Sequence, residues 1–376
     1  MVLFILKSKN SLPGSLTRPF WLNFILLFLL PLGCMNTQQV EPLPYFKVIG
    51  KTMGTTYSVQ YGDVENRNFK KSIDSLLIAI NNEVSVYEKE ATISQFNRAK
   101  DTFDLAFGMK EFSGELTEKN LHFFKNYLMA KVIYQRTNGF FEPTILPLVN
   151  YWGFGNKGKK PVKKIDIPKI AELMLAVGFE KIEMINEGLD SNLKLLKQNP
   201  NTQLDFGGLA KGYAVDEIGR FLEKHGIKNY LAEIGGETVA RGINSKDQTW
   251  AIGINTPKSD AAFDEFEEVV MLDNKAIATS GNYRQFYEIE GEKYSHIINP
   301  KTGYSEKSDL LSVSVIANDC MSADGYATAF FVLGKEKGLE IAQQLEDLEA
   351  LFIYGKEDGS MGILMTDLFS EMLRKN

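Results

Sequence analysis

Two stretches of the chain carry side chains suited to phosphate and a hard cation. In SADGYATAFF, Asp324 and Thr328 stand four residues apart, so a helix would send both oxygens off the same face. One carboxylate and one hydroxyl suit magnesium, which takes oxygen ligands in near-octahedral geometry and leaves positions for water and substrate phosphates. The same spacing also describes a surface Asp beside a Thr bonded to its own i−4 carbonyl, and spacing alone does not separate the two. In LDFGGLAKGYAVD, residues 204 to 216, a carboxylate, two glycines and a lysine open a helix that runs on to His225. Gly207 and Gly208 permit positive φ and close backbone approach, and the unpaired N–H groups of a helix start favour an anion. The spacing is neither GxGxxG nor GxxxxGKS/T, and a tight strand-to-helix turn without a ligand is the competing explanation.

His296, in YSHIINPKTG, is one of three histidines. It sits between an apolar strand and a Pro/Gly loop, where a side chain can be presented to a pocket. His122 lies within an amphipathic helix and His225 at the end of another, positions that read as structural. The run from Thr279 to Arg284 contains Ser280 but no GxSxG elbow, so it reads as a pocket wall with Arg284 near phosphate.

These residues need a frame. Tyr45 to Tyr61 reads as a strand pair and Ile73 to Val84 as a helix with apolar residues at 73, 76, 77, 80 and 84. Leu121 to Arg136 is a second helix, stopped by Asn138 and Gly139, and Asp166 caps a third that Gly178 ends. Strands follow at 230 to 234, 250 to 254, 269 to 272, 286 to 289, 294 to 298 and 311 to 316. Strands in succession without intervening helices predict an α+β fold with mixed or antiparallel sheets and packed helices.

Composition narrows the class. With 376 residues, 44% hydrophobic and 24% charged, the chain can bury a full core. A net charge of −6 and no basic stripe interleaved with aromatics give nucleic-acid binding no support. Lys7, Lys9 and Arg18 precede the apolar run Phe20 to Gly33, which ends at Cys34: residues 1 to 33 read as a lipoprotein-type signal peptide, with Cys34 as the lipidated residue. Residues 34 to 48 read as a tether and 49 to 376 as the folded body. Only Cys34 and Cys320 are present, without a CxxC or Cys/His cluster, and Cys320 reads as a small buried side chain.

Seven motifs in this order, TMGTTY from residue 52, GFFEPTILPLVNYWGFG from 139, LDFGGLAKGYAVD, EIGGE from 233, AIATSGNYR from 276, YSHIINPKTG and SADGYAT, resemble the ApbE family of flavin transferases. The resemblance covers residue 49 to the C-terminal region. It implies an ApbE-like, T-fold-related architecture, FAD as substrate and Mg2+ as cofactor. By resemblance the metal is held by Asp324, Thr328 and the backbone carbonyl of Gly208. The flavin is contacted by Met53, Tyr87, the backbone around Phe140, Phe141 and Glu142, and by Asp205, Lys211 and Ile298. His296 and Asp324 become the catalytic candidates. Glu142 and Asn299 stand where the family usually has Asp.

The expected activity is Mg-dependent transfer of FMN from FAD to a Ser or Thr of an acceptor protein, releasing AMP. The expected acceptor is a membrane redox-pump subunit or an FMN-binding domain, met on the periplasmic side of a bacterial envelope by a lipid-anchored enzyme. Two rivals remain: an FAD pyrophosphatase giving FMN and AMP, which would use nearly the same residues, and a non-catalytic flavin-storing lipoprotein, against which Asp324, Thr328 and His296 argue.

Overall fold

A computed structural model describes residues 43–105, 119–158, 162–187, 192–257, 266–282, 286–289, 292–306 and 308–374. The lipidation candidate Cys34 and the signal segment lie outside them, as does Arg284.

The elements run β1 (Tyr45–Thr52), β2 (Thr55–Gly62), α1 (Lys70–Val84), α2 (Thr92–Arg98), β3 (Thr102–Asp104), α3 (Leu121–Arg136), α4 (Leu146–Tyr151), α5 (Ile167–Met174), β4 (Ile182–Glu187), β5 (Asn192–Lys197) and α6 (Ala210–Lys224). They continue with β6 (Tyr230–Ile234), β7 (Glu237–Arg241), β8 (Trp250–Asn255), β9 (Phe266–Leu272), β10 (Ala276–Gly281), β11 (Phe286–Ile289), β12 (Glu292–Ser295), β13 (Leu310–Ala317), α7 (Cys320–Leu333), α8 (Lys335–Gln344), β14 (Leu348–Gly355), β15 (Met361–Met365) and α9 (Asp367–Met372). The body starts earlier than the expected residue 49, because β1 pairs with β2 from Tyr45 onward and residues 45 to 48 are strand rather than tether.

One eight-stranded sheet, ordered β1-β2-β6-β7-β10-β13-β14-β15 and antiparallel throughout, organises the molecule. The α+β expectation holds. The strand period sorts the side chains to two faces. Tyr57, Val59, Ala232, Ile234, Val239, Ala278, Val313 and Val315 join the core shared with α1, α3, α6 and α7. Leu231, Ala240, Ile277, Ile316, Leu351 and Ile353 belong to a second core that the β8–β9 hairpin closes with Trp250, Ile254, Val270 and Leu272, and α9 with Phe369. Covered on both faces, the central strands lose the alternation of a one-sided sheet, and β13 is buried at seven of its eight positions. A third cluster, centred on Trp152 and Tyr294, holds α4, α5 and the segment after β12 together.

Helix α7 is buried almost all round, with Ala323, Ala327, Phe330 and Phe331 at 0% exposure. Its two phenylalanines each contribute about 1.5–3 kcal/mol of burial. Asp319 caps its N-terminus by accepting the Ser322 N–H at 2.8 Å. Asp216 of α6 accepts the Cys320 and Met321 N–H groups at 2.8 and 2.9 Å, so a second carboxylate ties the same terminus to α6.

Candidate active site

A cavity of about 900 Å3 is lined by the Gly207–Gly208 turn, the start of α6, one face of α7 and the β6–β7 turn. The described candidates for metal, flavin and catalysis all reach it, whereas Asn299 does not line it. Asp324, Thr328, Gly208, Lys211 and His296 line it together with Met53, Tyr87, Phe140, Phe141, Glu142, Asp205 and Ile298.

The metal candidates come together because α6 and α7 cross closely. At Gly212 a Cβ would stand 2.9 Å from Asp324 Cβ and nearer still to the Cys320 carbonyl, so only glycine fits the crossing. With nothing in the way, the Gly212 N–H donates to Asp324 Oδ2 at 3.0 Å. Asp324 is 4% exposed, and Thr328 donates across to the Gly208 carbonyl at 3.4 Å rather than to its own i−4 carbonyl. The surface-Asp alternative is therefore overturned. Ser280 Oγ lies 3.3 Å from Thr328 Oγ1. A Cβ on Gly208 would press on Thr328 Oγ1 and Phe141 at 3.1 Å, so the glycine makes the cradle. One carboxylate, one hydroxyl and one carbonyl are hard oxygen donors and fit Mg2+ completed by phosphate and water. Among the described residues no three His, Cys, Asp or Glu side chains converge as a metal cluster.

The helix start differs from expectation in two ways. Neither Gly207 nor Gly208 has positive φ; their requirement is space, for Asp205 Oδ1 in one case and Thr328 and Phe141 in the other. Nor is the N-terminus a row of open donors. Leu209 and Ala210 N–H bond to the Phe206 carbonyl, and Gly212 N–H goes to Asp324. Positive charge at the cavity comes instead from Lys211, which forms an ion pair with Glu237. Burial opposes the Lys211 ammonium, but the Glu237 and Asp324 carboxylates outweigh it and hold its pKa above the ordinary value. Burial pushes Glu237 up to about 7 against the pull of Lys211. Its second carboxylate oxygen is buried with no hydrogen-bond partner.

Asp205 is half-buried; its Oδ1 accepts the Gly207 N–H at 2.8 Å and its N–H donates to the Pro143 carbonyl at 2.7 Å. That second bond stitches the glycine turn to the Phe140–Glu142 segment. Burial raises the Asp205 pKa, partly offset by the Gly207 bond. Glu142 uses its carboxylate to accept the Thr144 N–H and hydroxyl at 2.9 and 2.6 Å and the Phe179 N–H at 3.2 Å. Its longer side chain thus anchors its own turn.

Met53 and Gly54, with φ of 48° and 73°, form the two-residue turn between β1 and β2, a left-handed pair that matches the hairpin twist and leaves Met53 at the cavity rim. Tyr87 follows α1 and is 68% exposed. His296 and Ile298 are carried by the segment after β12, which Trp152 braces: its ring stacks on Tyr294 at 5.3 Å and its Nε1–H donates to the Gly303 carbonyl at 2.8 Å. The Phe154 ring meets His296 edge-on at 6.2 Å. Asn299 donates to Glu306 at 2.7 Å, a bond an Asp could not make. His122 and His225 are used locally, against the Tyr213 hydroxyl and the Phe221 carbonyl, each at 2.7 Å. Cys320 is fully buried, and burial pushes its thiol pKa well up.

Glu237 escaped the sequence reading as a site residue. The clue was strand parity: in β7 it shares a face with Val239, so its carboxylate must turn toward the helices, where Lys211 is its answer.

A carboxylate, a hydroxyl and a carbonyl thus meet beside the Lys211–Glu237 pair on an antiparallel α+β frame, and comparison with known proteins is specific. The ApbE family model matches residues 53–352, and the chain belongs to that family. It is 33% identical over 343 residues to a Vibrio cholerae protein named FAD:protein FMN transferase, covering 90% of this chain and 95% of that one. It is 35% identical over 303 residues to the Haemophilus influenzae protein of the same name, covering 78% and 82%. The structure of the flavin transferase ApbE from Vibrio cholerae superposes with a TM-score of 0.74 at 32% identity, over 88% of this chain and 100% of that chain.

Proposed function

We propose that this chain transfers FMN from FAD to a Ser or Thr hydroxyl of an acceptor protein, with Mg2+, and releases AMP. The observation that carries this reading is the meeting of Asp324, Thr328 and the Gly208 carbonyl in one cavity with Lys211 and His296. The names of the relatives support it.

The acceptor oxygen forms a bond to the FMN phosphorus, the anhydride P–O bond breaks, and AMP leaves with the bridging oxygen. The hydroxyl proton passes to the His296 imidazole. Lys211 meets a phosphate oxygen, with Glu237 holding the ammonium in place. Asp324, Thr328 and the Gly208 carbonyl hold Mg2+, which when bound supplies charge neutralisation on the diphosphate. Met53, Tyr87, Phe140, Phe141 and Ile298 offer apolar and aromatic surface to the ring systems, and Asp205 accepts from adenine or ribose. In this reading Cys34 is lipidated and the enzyme faces the periplasm, where it meets a redox-pump subunit or FMN-binding domain. The charged start and apolar run before Cys34 support that placement.

Intact-mass measurement of a candidate acceptor incubated with the chain, FAD and Mg2+ tests the proposal. An FMN-sized addition that chelator abolishes is expected. Free FMN and AMP without an adduct would replace transfer by hydrolysis, and intact bound FAD would leave only a carrier.

A further inference from the structure

Between β5 and α6 the chain passes through residues 204 to 209, which form neither strand nor helix and carry Asp205 and Gly208 to the cavity. Leu204, Phe206 and Leu209 are fully buried, so the segment is pinned to the core and its interior backbone groups need partners. Leu204 finds both in one side chain. Asn97, in the last turn of α2, accepts the Leu204 N–H on Oδ1 at 2.7 Å and donates from Nδ2 to the Leu204 carbonyl at 2.8 Å. An amide presents acceptor and donor side by side, so Asn97 pairs with Leu204 as a neighbouring strand would. Asn97 is itself held in place. The buried Lys197 of β5 donates to the Ala99 carbonyl at 2.9 Å and to the Asn97 carbonyl at 3.5 Å, where α2 leaves carbonyls open, and its ammonium lies 4.5 Å from the Phe96 ring centre. Phe96, fully buried, meets Phe103 edge-on at 5.8 Å.

We propose that Asn97 is a positioning residue for the metal: by gripping Leu204 it sets how far the Gly207–Gly208 turn reaches toward α7, and so where the Gly208 carbonyl stands relative to Asp324 and Thr328. The inference rests on the reading above of these three groups as the Mg2+ donors and adds what holds the carbonyl among them. Asp324 and Thr328 share one buried helix, whereas the carbonyl belongs to an irregular segment fastened upstream by Asn97 at Leu204 and by the Pro143 carbonyl at Asp205. The tolerance is small on both sides. A Cβ on Gly208 would already press on Thr328 and Phe141, so the turn lies close against α7. Mg2+ takes oxygen at about 2.0–2.1 Å in a near-ideal octahedron, and a carbonyl displaced by a few tenths of an ångström leaves that array. Asn97 does not line the cavity, so its effect passes through Leu204 and not through contact with substrate.

The test uses the full chain with FAD bound and Mn2+ standing in for Mg2+, because Mn2+ favours the same oxygen donors and its free form is counted by its EPR signal. Asn97→Leu removes both bonds at similar size. Asn97→Asp keeps an acceptor for the Leu204 N–H but sets a carboxylate against the Leu204 carbonyl. Each is expected to raise the Mn2+ Kd about 10–100-fold, the usual cost of losing a group that orients a metal ligand. The Mg2+ needed for half-maximal FMN transfer should rise by the same factor, with kcat at saturating Mg2+ retained. Ile93→Val trims the buried face of the same helix and leaves the amide intact, so it should lower the melting temperature with the Mn2+ Kd unchanged. Should Asn97→Leu fail to fold, Asn97→Asp decides. A wild-type chain that binds no Mn2+ overturns the metal reading and this inference together. One that binds Mn2+ but forms no FMN adduct overturns the transferase alone, and the Kd comparison still decides the role of Asn97. An unchanged Mn2+ Kd in a folded Asn97 variant, or an equal rise in Ile93→Val, overturns the positioning role.

Discussion

Asp324→Asn separates the two tasks that Asp324 performs. The carboxylate accepts the Gly212 N–H at 3.0 Å within the α6–α7 crossing, and it is the sole acid in the proposed metal donor set. Alanine would abolish both, leaving a buried N–H without an acceptor at about 1–3 kcal/mol, so an inactive Ala variant could simply be loosened. Asparagine keeps an oxygen for that N–H. The remaining cost is the step from a charge-assisted to a neutral hydrogen bond, about 1 kcal/mol of a total near 5–15 kcal/mol, and the protein stays folded. The metal loses its only anionic protein ligand. Losing a mere supporting residue costs about 10–100-fold in metal affinity, so a loss of at least about 100-fold is expected here. FAD is an anion, and removing a negative charge from its pocket leaves its metal-free Kd unchanged or tighter. Adduct formation is followed by intact mass across a Mg2+ titration, with FAD binding followed by fluorescence. A variant that reached the wild-type rate at the wild-type half-saturating Mg2+ would refute the assignment and reduce Asp324 to a bond between two helices.

The two helix glycines should respond differently to alanine. At Gly212 the clash is with the Cys320 backbone carbonyl, so Gly212→Ala should lose about 1–3 kcal/mol in denaturant titration and lower Mg2+ affinity, whereas at Gly325 the nearest atom is the tip of Ile133, and Gly325→Ala should stay within about 1 kcal/mol of wild type. Lys211→Met strands Glu237, which is 4% exposed, and should cost on the order of 3 kcal/mol by melting; adding Glu237→Gln should restore most of that stability without restoring FAD affinity. Tyr87→Ala removes a 68% exposed ring, so melting should move little while FAD Kd rises roughly tenfold, the worth of one aromatic stack; an unchanged Kd would remove Tyr87 from the flavin contacts. Burial, reinforced by Asp319, raises Asp216 from 3.8 to about 7, so the folded state holds a proton that the unfolded chain has released in that window. Wild-type stability should therefore fall by up to about 4 kcal/mol relative to Asp216→Asn as pH rises from about 4 to about 7, and parallel stability curves in denaturant titrations would show the assignment to be wrong.

What could be read in the amino acids was the part written in local periodicity. Helix α3 runs from Leu121 to Arg136 as expected because its apolar stripe ends at Asn138 and Gly139, both with positive φ. Strands β6 and β11 likewise match their expected bounds. The hairpin of β4 and β5 escaped notice because IEMINE and NLKLLK mix charges with apolar residues over only six positions each. Helix α8 and strands β14 and β15 were also unread, although LEALFIYG is apolar enough to be a central strand. A short apolar run does not announce whether it is strand or helix.

The site divides along the same line. Asp324 and Thr328 could be placed on one face of a helix from spacing alone, but which element they face was beyond spacing. That is decided by where α6 crosses α7, and the crossing is written in glycines whose meaning changes with context. Gly325 reads locally as a weak point costing up to about 1 kcal/mol of helix, yet a Cβ there would collide with Ile133 of α3. Gly212 carries the same local penalty and admits the Cys320 carbonyl and the Asp324 side chain. Gly208 reads as a turn residue and instead makes room for Thr328. At Gly212 and Gly208 the missing Cβ lets a neighbour approach within hydrogen-bonding or packing distance, and the proposed chemistry depends on that approach, whereas at Gly325 only the flexible tip of Ile133 stands in the way. Glu237 completes the pattern. A lone acid in a five-residue strand is unremarkable until the sheet turns it toward Lys211. Its ion pair then holds the Lys211 ammonium at the cavity while the second carboxylate oxygen is buried without a hydrogen-bond partner, a site that a donor or a cation would satisfy.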